Sequence, residues 1–334
     1  MNEPLRPLTL GEILDRTTHL YRSRFLLLLG ISVVPTGVIV VLACLVGLIV
    51  AWWSAAGASS VSDTAGYILV AIFAIGVLLV ALPVYVVSTA LSMAAMSHAV
   101  SRVHLGLATT IRDDYKSVWH RGWRYIGLCI LEGLFIGAVP FALYILLIIL
   151  LAGAAALART TGMGDITSGA LFILVVVLVV IALIAYVFWM MIRLSLAFPA
   201  CVVEQIGAWS AVKRSWNLSN GTKGRILVLY VLAAVLSWML SMGIIFLLSI
   251  LLFLIPGMRG TQYTQAAEVM SLFILYGTPF VVQALVRPVY GIAFVIFYYD
   301  QRIRKEGFDI EWMMLQAGLT PPAQQIVSAT NLEP

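Results

Sequence analysis

The stretch FLLLLGISVVPTGVIVVLACLVGLIVAWWSAAGASSVS, Phe25 to Ser62, contains no ionisable side chain except the Cys44 thiol. A membrane-spanning helix needs about 20 consecutive apolar residues, and this run exceeds that length. Ile166–Ile192 and Ile226–Met258 repeat the argument, each holding no ionisable group but one tyrosine. The 334 residues are 62% hydrophobic and only 10% charged, against about 25% charged in a soluble domain. A water-facing fold cannot hide so much apolar surface, so the bilayer is the solvent. The first run is too long for a secretory signal, and a charged, patterned segment precedes it.

Outward from that stretch, hydropathy predicts six spans, at about 25–53, 66–100, 124–156, 168–200, 225–256 and 269–299. The fold class expected is all-α integral membrane. The connections fall into two classes. Residues 54–65, 157–167 and 257–268 carry only Arg159 and Arg259 as basic groups. The other connections and the chain ends carry sixteen: Arg6, Arg16, Arg22 and Arg24, then Arg102, Arg112, Lys116, Arg121 and Arg124, then Lys213, Arg214, Lys223 and Arg225, then Arg302, Arg304 and Lys305. Basic loops stay on the cytoplasmic side. Both termini and both long basic loops are therefore expected in the cytoplasm. The net charge of +5 describes a basic face near anionic lipid headgroups, not a nucleic-acid site. Trp52 and Trp53 mark an outer boundary; Trp119, Trp123, Trp216, Tyr298 and Tyr299 mark inner ones.

A polar helix with one apolar stripe precedes each odd-numbered span. Its stripe residues are Leu10, Ile13, Leu14, Thr17, Leu20 and Tyr21 in the first, Ile111, Tyr115, Val118 and Trp119 in the second, and Trp209, Val212 and Trp216 in the third. TLGE, Thr9–Glu12, is a capping box, so the first begins at Thr9. Such helices are expected to lie in the interface, stripe towards the lipid. The closing aromatics Tyr21, Trp119 and Trp216 are 98 and 97 residues apart, and Pro83 and Pro279 are separated by 196. This spacing predicts three parallel hairpin repeats, at about 9–105, 106–205 and 206–310, within one membrane domain over 1–317. Residues 318–334 read as a disordered tail.

After each stripe comes a basic elbow: RSRF at Arg22–Phe25, HRGWRY at His120–Tyr125, and NLSNGTKGRI at Asn217–Ile226. Arg22, Arg24, Arg121, Arg124, Lys223 and Arg225 are the candidates for contact with lipid phosphates, with Gly122 allowing the chain to bend. His-Arg-Gly also opens a phosphodiesterase motif. That chemistry needs carboxylates gathered around a metal, and Asp113 and Asp114 have no downstream Glu-x-Asp partner. No catalytic residue, metal ligand or cofactor is assigned. His19, His98, His104 and His120 lack metal-ligand spacing and read as interfacial. Cys44, Cys129 and Cys201 read as small packing residues.

Inside the spans lie Glu132, roughly 10 Å deep, Arg287, roughly 18 Å deep, and Arg193 near an inner end. Buried charges face the interior and pair. One reading is a structural salt bridge of Glu132 with Arg193 or Arg287. The other is that Arg287, with Gln283 one turn before it, holds an anionic headgroup or substrate. Glu132, Arg193, Gln283 and Arg287 form the candidate polar cluster.

Two stretches, LRPLTLGEILDRTTHLYRSRFLLLLGI (Leu5–Ile31) and YYDQRIRKEGFDIEWMM (Tyr298–Met314), resemble the bacterial glycerophosphoryl diester phosphodiesterase membrane domain family. The resemblance implies a multipass membrane protein in its stand-alone form, without the catalytic domain and with no established activity. The expected function is a non-enzymatic protein that binds membrane lipid or an anionic amphiphile, or supports a membrane-protein partner. The alternatives are a transporter or flippase for a lipid-like or small anionic substrate, and an accessory scaffold subunit.

Overall fold

The computed structural model describes residues 6–55, 64–104, 107–161, 166–254 and 264–316. The expected tail lies outside them, as do most of the outer connections and the side chains of Cys44, Trp52 and Trp53. The described residues form helices and no strand: α1 (Leu10–Ser23), α2 (Phe25–Ala55), α3 (Thr64–His104), α4 (Ile111–Trp119), α5 (Gly122–Gly133), a π-helical segment (Leu134–Ala138), α6 (Val139–Thr161), α7 (Ile166–Leu194), α8 (Ala197–Val203), α9 (Ala208–Leu218), α10 (Lys223–Leu254), α11 (Thr264–Glu306) and α12 (Phe308–Gln316). Six segments are long and apolar enough to cross a membrane: Phe25–Leu42, Ile75–His104, Gly122–Gly153, Leu174–Val203, Lys223–Leu254 and Ile274–Glu306.

Of these six, the α11 segment is the most buried. It packs on α1, α2, α3 and α10. Its partner α3 makes close packing possible with small residues: Ala90, Ala94, Ala95 and Ala99 are fully buried. Apolar side chains gain little by leaving lipid for one another, so small residues that let backbones approach decide which faces meet. Gly291 on α11 fits the same rule, because a Cβ there would lie 3.0 Å from Met96 Cγ on α3.

Proline opens the backbone ladder in several spans, and hydroxyls from neighbouring helices close it. A helical proline leaves the carbonyl four residues earlier without its donor, and in a bilayer no water replaces that donor. Pro35 frees the Ile31 carbonyl, which accepts from Ser92 Oγ at 2.9 Å and Tyr115 Oη at 3.0 Å. Pro288 frees the Ala284 carbonyl, which accepts from Ser32 Oγ at 2.7 Å. In the π-helical segment the Val139 N–H bonds five residues back, to Leu134. In that register Pro140 leaves the Phe135 carbonyl free, and Tyr186 Oη donates to it at 3.1 Å. The ring of Pro199 collides with the Ser195 carbonyl region, and the chain breaks there into α7 and α8. Ser215 bridges the break, donating to the Arg193 carbonyl at 2.6 Å and accepting from the Leu196 N–H at 3.1 Å.

The capping box forms as the sequence requires, with Thr9 accepting from the Glu12 N–H and Glu12 from the Thr9 N–H. The centre of each apolar stripe, however, meets protein, while Ile111, Trp119 and Trp209 stay exposed. Ile13 is fully buried with Leu28, Phe297 and Tyr298, and Val118 and Val212 enter a second core around Leu128 and Phe198. α1, α4 and α9 therefore act as plugs on the ends of the spans. Tyr298 and Tyr299 are 0% and 2% exposed, so they are core residues, not boundary aromatics. Trp119 and Trp123 are exposed, at 69% and 86%.

Candidate functional site

Between α3, α5, α7, α10 and α11 lies a cavity of about 410 Å³. α5 packs on α3, α8 and α9, whereas α11 packs on α1, α2, α3 and α10. The space left between those two sets is the cavity. Glu132, Gln283 and Arg287 all line it, so three of the four residues expected to cluster are brought to one place. Apolar walls come from Met93, Ile136, Leu194, Val286 and Phe294.

Arg193 is not part of it. Its guanidinium donates to the Trp216 carbonyl at 3.1 Å and to Asn220 Oδ1 at 2.6 Å. It also lies 4.5 Å from the centre of the Trp216 ring and 5.7 Å from that of Trp189. Arg193 pins α9 to the inner end of α7. It was grouped with Glu132 by depth, but the rotation of α7 turns it to the other side.

Among the described residues Glu132 forms no ion pair with either arginine, so the expected structural salt bridge is absent. The Arg287 guanidinium forms no hydrogen bond or ion pair, and its buried Nε has no partner. Nearby, Gln283 Nε2 donates to Tyr290 Oη at 3.2 Å. Pro288 bends α11 beside Arg287, and the π-helical segment starts two residues after Glu132. π-segments of this kind recur at functional sites. Nothing in hydropathy or periodicity marks the π-segment; Pro140 was the available signal.

The elbows are more occupied than their sequence implies. Arg121 bonds the Gln205 side chain, and Arg124 Nη1 donates to the Gln205 carbonyl at 2.9 Å. Together they hold Gln205 at φ 55°, a left-handed conformation that is costly outside glycine. Arg225 sits 3.7 Å from Asp300. Arg22 and Arg24 are exposed, and Lys223 is half-buried. Gly122 does not make the bend, since it lies inside α5 and the chain turns before it at His120–Arg121. The positive φ belongs to Gly221 in the third elbow and Gly307 before α12.

His98 and Asp114 belong to a structural network. His98 Nδ1 lies 2.8 Å from Asp114 Oδ1, Thr109 Oγ1 donates to the same oxygen at 2.7 Å, and Asp114 is fully buried. The pair ties α4 to α3. Cys129 and Cys201 are free thiols. Compared with protein-family models, curated proteins and solved structures, the chain matches none of them.

Proposed function

We propose that this protein is a non-enzymatic, multipass protein of a bacterial inner membrane that binds a lipid or another anionic amphiphile, with the headgroup on Arg287 and the apolar part along the cavity walls. One observation carries the reading: a guanidinium deep among the spans, with no protein partner, lines a cavity of about 410 Å³. An unpaired charge there is expensive, and an anionic ligand removes that cost. The distribution of basic residues supports cytoplasmic termini, and entry from the inner leaflet is consistent with the exposed Arg22 and Arg24. The resemblance of Leu5–Ile31 and Tyr298–Met314 to the phosphodiesterase membrane domain family supports a multipass membrane protein. The order short helix, span, span occurs three times, at α1–α3, α4–α7 and α9–α11, which supports three parallel repeats.

The test is native mass spectrometry of the protein extracted in membrane-derived nanoparticles. Wild type retains a specific amphiphile, and Arg287→Leu loses it by roughly tenfold or more, the worth of a charge-assisted hydrogen bond. Unchanged retention by a folded Arg287→Leu protein overturns the reading. Retention of a stoichiometric protein with only bulk lipid favours the scaffold alternative.

Transport of the same ligand is the second reading, favoured by Pro288, next to the cavity-lining Arg287, and by the π-helical segment, whose Ile136 lines the cavity. It requires water access to the cavity. Tyr290→Cys, in a background lacking Cys44, Cys129 and Cys201, is then labelled by a membrane-impermeant maleimide. Complete protection removes this alternative.

A further inference from the structure

The cavity holds more than a site for an anion. Glu132 and Arg287 line it from separate helices, α5 and α11, and neither pairs with the other or with another described residue. The remaining polar atoms are unevenly divided. Ser92, Ser97, Ser195 and Tyr230 also line the cavity. Each has given its hydroxyl hydrogen to a backbone carbonyl: Ile31, Met93, Ile192 and Met191 respectively. What they present to a ligand is therefore lone pairs. With the Glu132 carboxyl, they supply most of the acceptors in a lining whose charged donor is the Arg287 guanidinium and whose neutral donors are the Gln283 amide and the Tyr290 and Ser237 hydroxyls.

A purely anionic headgroup satisfies Arg287 and leaves the Glu132 carboxyl and the hydroxyl lone pairs beside more negative charge. A ligand carrying one anion and one N–H-bearing cation satisfies both sides. It also adds no net charge to a cavity with largely apolar walls, where any uncompensated charge is costly. A quaternary ammonium has no N–H to give these acceptors. With the apolar walls selecting an amphiphile, the geometry points to a zwitterion with a primary ammonium, an aminoethyl phosphodiester headgroup, as the ligand: phosphate on Arg287, ammonium on Glu132 and the hydroxyl oxygens. This rests on the binding role proposed for Arg287 and adds the class of ligand.

The experiment uses the full chain in nanodiscs made with equal mole fractions of aminoethyl, choline and phosphoglycerol phospholipids, read by native mass spectrometry. Wild type is expected to retain the aminoethyl lipid over either other lipid by roughly tenfold, and Glu132→Gln to lose most of that preference. A millimolar soluble glycerol aminoethyl phosphodiester separates the sources: competition assigns the site to the free zwitterion, and no competition assigns it to the lipid. A wild-type protein that retains phosphoglycerol lipid as well as aminoethyl lipid, in an Arg287-dependent way, overturns the zwitterion and leaves the anion site standing. If Arg287→Gln alters neither lipid, both fall. The wild-type ratio decides even if Glu132→Gln does not fold.

Discussion

Arg193 and Arg287 are the same residue type, yet one is held by protein acceptors and the other lines a cavity without a partner among the described residues. The difference lies in what each guanidinium meets. Arg193 is held between two indole rings and two acceptors on α9 and the loop after it, and nothing of comparable kind faces Arg287. Asp300 shows a third arrangement. It is 1% exposed and accepts from the Leu8 N–H at 2.7 Å and from Arg304 Nε at 2.9 and 3.0 Å, while Arg304 Nη2 donates to the Leu8 carbonyl at 2.7 Å. Asp300 is buried but Arg304 is 35% exposed, so Asp300→Ala mainly removes charge-assisted hydrogen bonds and leaves the Leu8 N–H unpaired. It is expected to cost about 1–3 kcal/mol, seen as a drop in melting temperature in detergent. A change within a degree or two would show that the pair contributes nothing net. Ser32→Ala strips the Ala284 carbonyl of its donor and is expected to cost about 1 kcal/mol, a small drop in the same assay.

At the scale of elements, the amphipathic helices are read correctly as helices and incorrectly in their environment. A stripe of period 3.6 specifies that one face is apolar, but lipid and protein cores satisfy it equally well. α1 also carries a pH signature. The Glu12 carboxyl is held down from 4.5 to about 2, first by the Thr9 N–H, then by the Arg6 guanidinium. Because the folded state lowers this value, the stabilisation is complete above pH 4.5 and is lost as the pH falls towards 2. The melting difference between wild type and Glu12→Gln is expected to shrink across that window. A difference that stays constant through it would show that the capping carboxylate does not titrate with folding. The prolines make a related point. Pro35, Pro140, Pro199 and Pro288 are plain in the sequence, but the hydroxyls that repair their gaps come from residues up to 252 positions away.

At the scale of the whole molecule, the two stretches that carried the family resemblance turn out to be one structural unit. Leu8 meets Asp300 and Arg304, and Ile13 is buried with Phe297 and Tyr298. The inner end of α11 extends this latch. Tyr298 Oη donates to Glu204 at 2.6 Å, Arg214 bridges Glu204 and Glu306, and Lys305 Nζ caps the carbonyls of Asn217, Leu218 and Asn220. One face of the molecule is thus knit by buried polar contacts, and it is the face that the basic residues assign to the cytoplasm. A reporter fused after Gln316 is expected to be active only as a cytoplasmic fusion, and one inserted within 255–263 only outside. The opposite pattern would invert the orientation and the leaflet from which a ligand enters.

The amino-acid sequence alone determined that this is a helical membrane protein with six spans. It also determined where Thr9 starts the first short helix. These properties are additive along the chain: transfer to lipid and helix geometry depend on residue type and count, not on neighbours. Only the tertiary structure decided that Arg193 faces Trp216 while Arg287 and Glu132 share a cavity, and that the apolar stripes bury on protein. Those outcomes depend on the rotation of each helix about its axis. That rotation is set by close fits such as Gly291 against Met96 and by single hydrogen bonds between helices. In a bilayer, hydrophobicity is satisfied on every face and cannot choose among them.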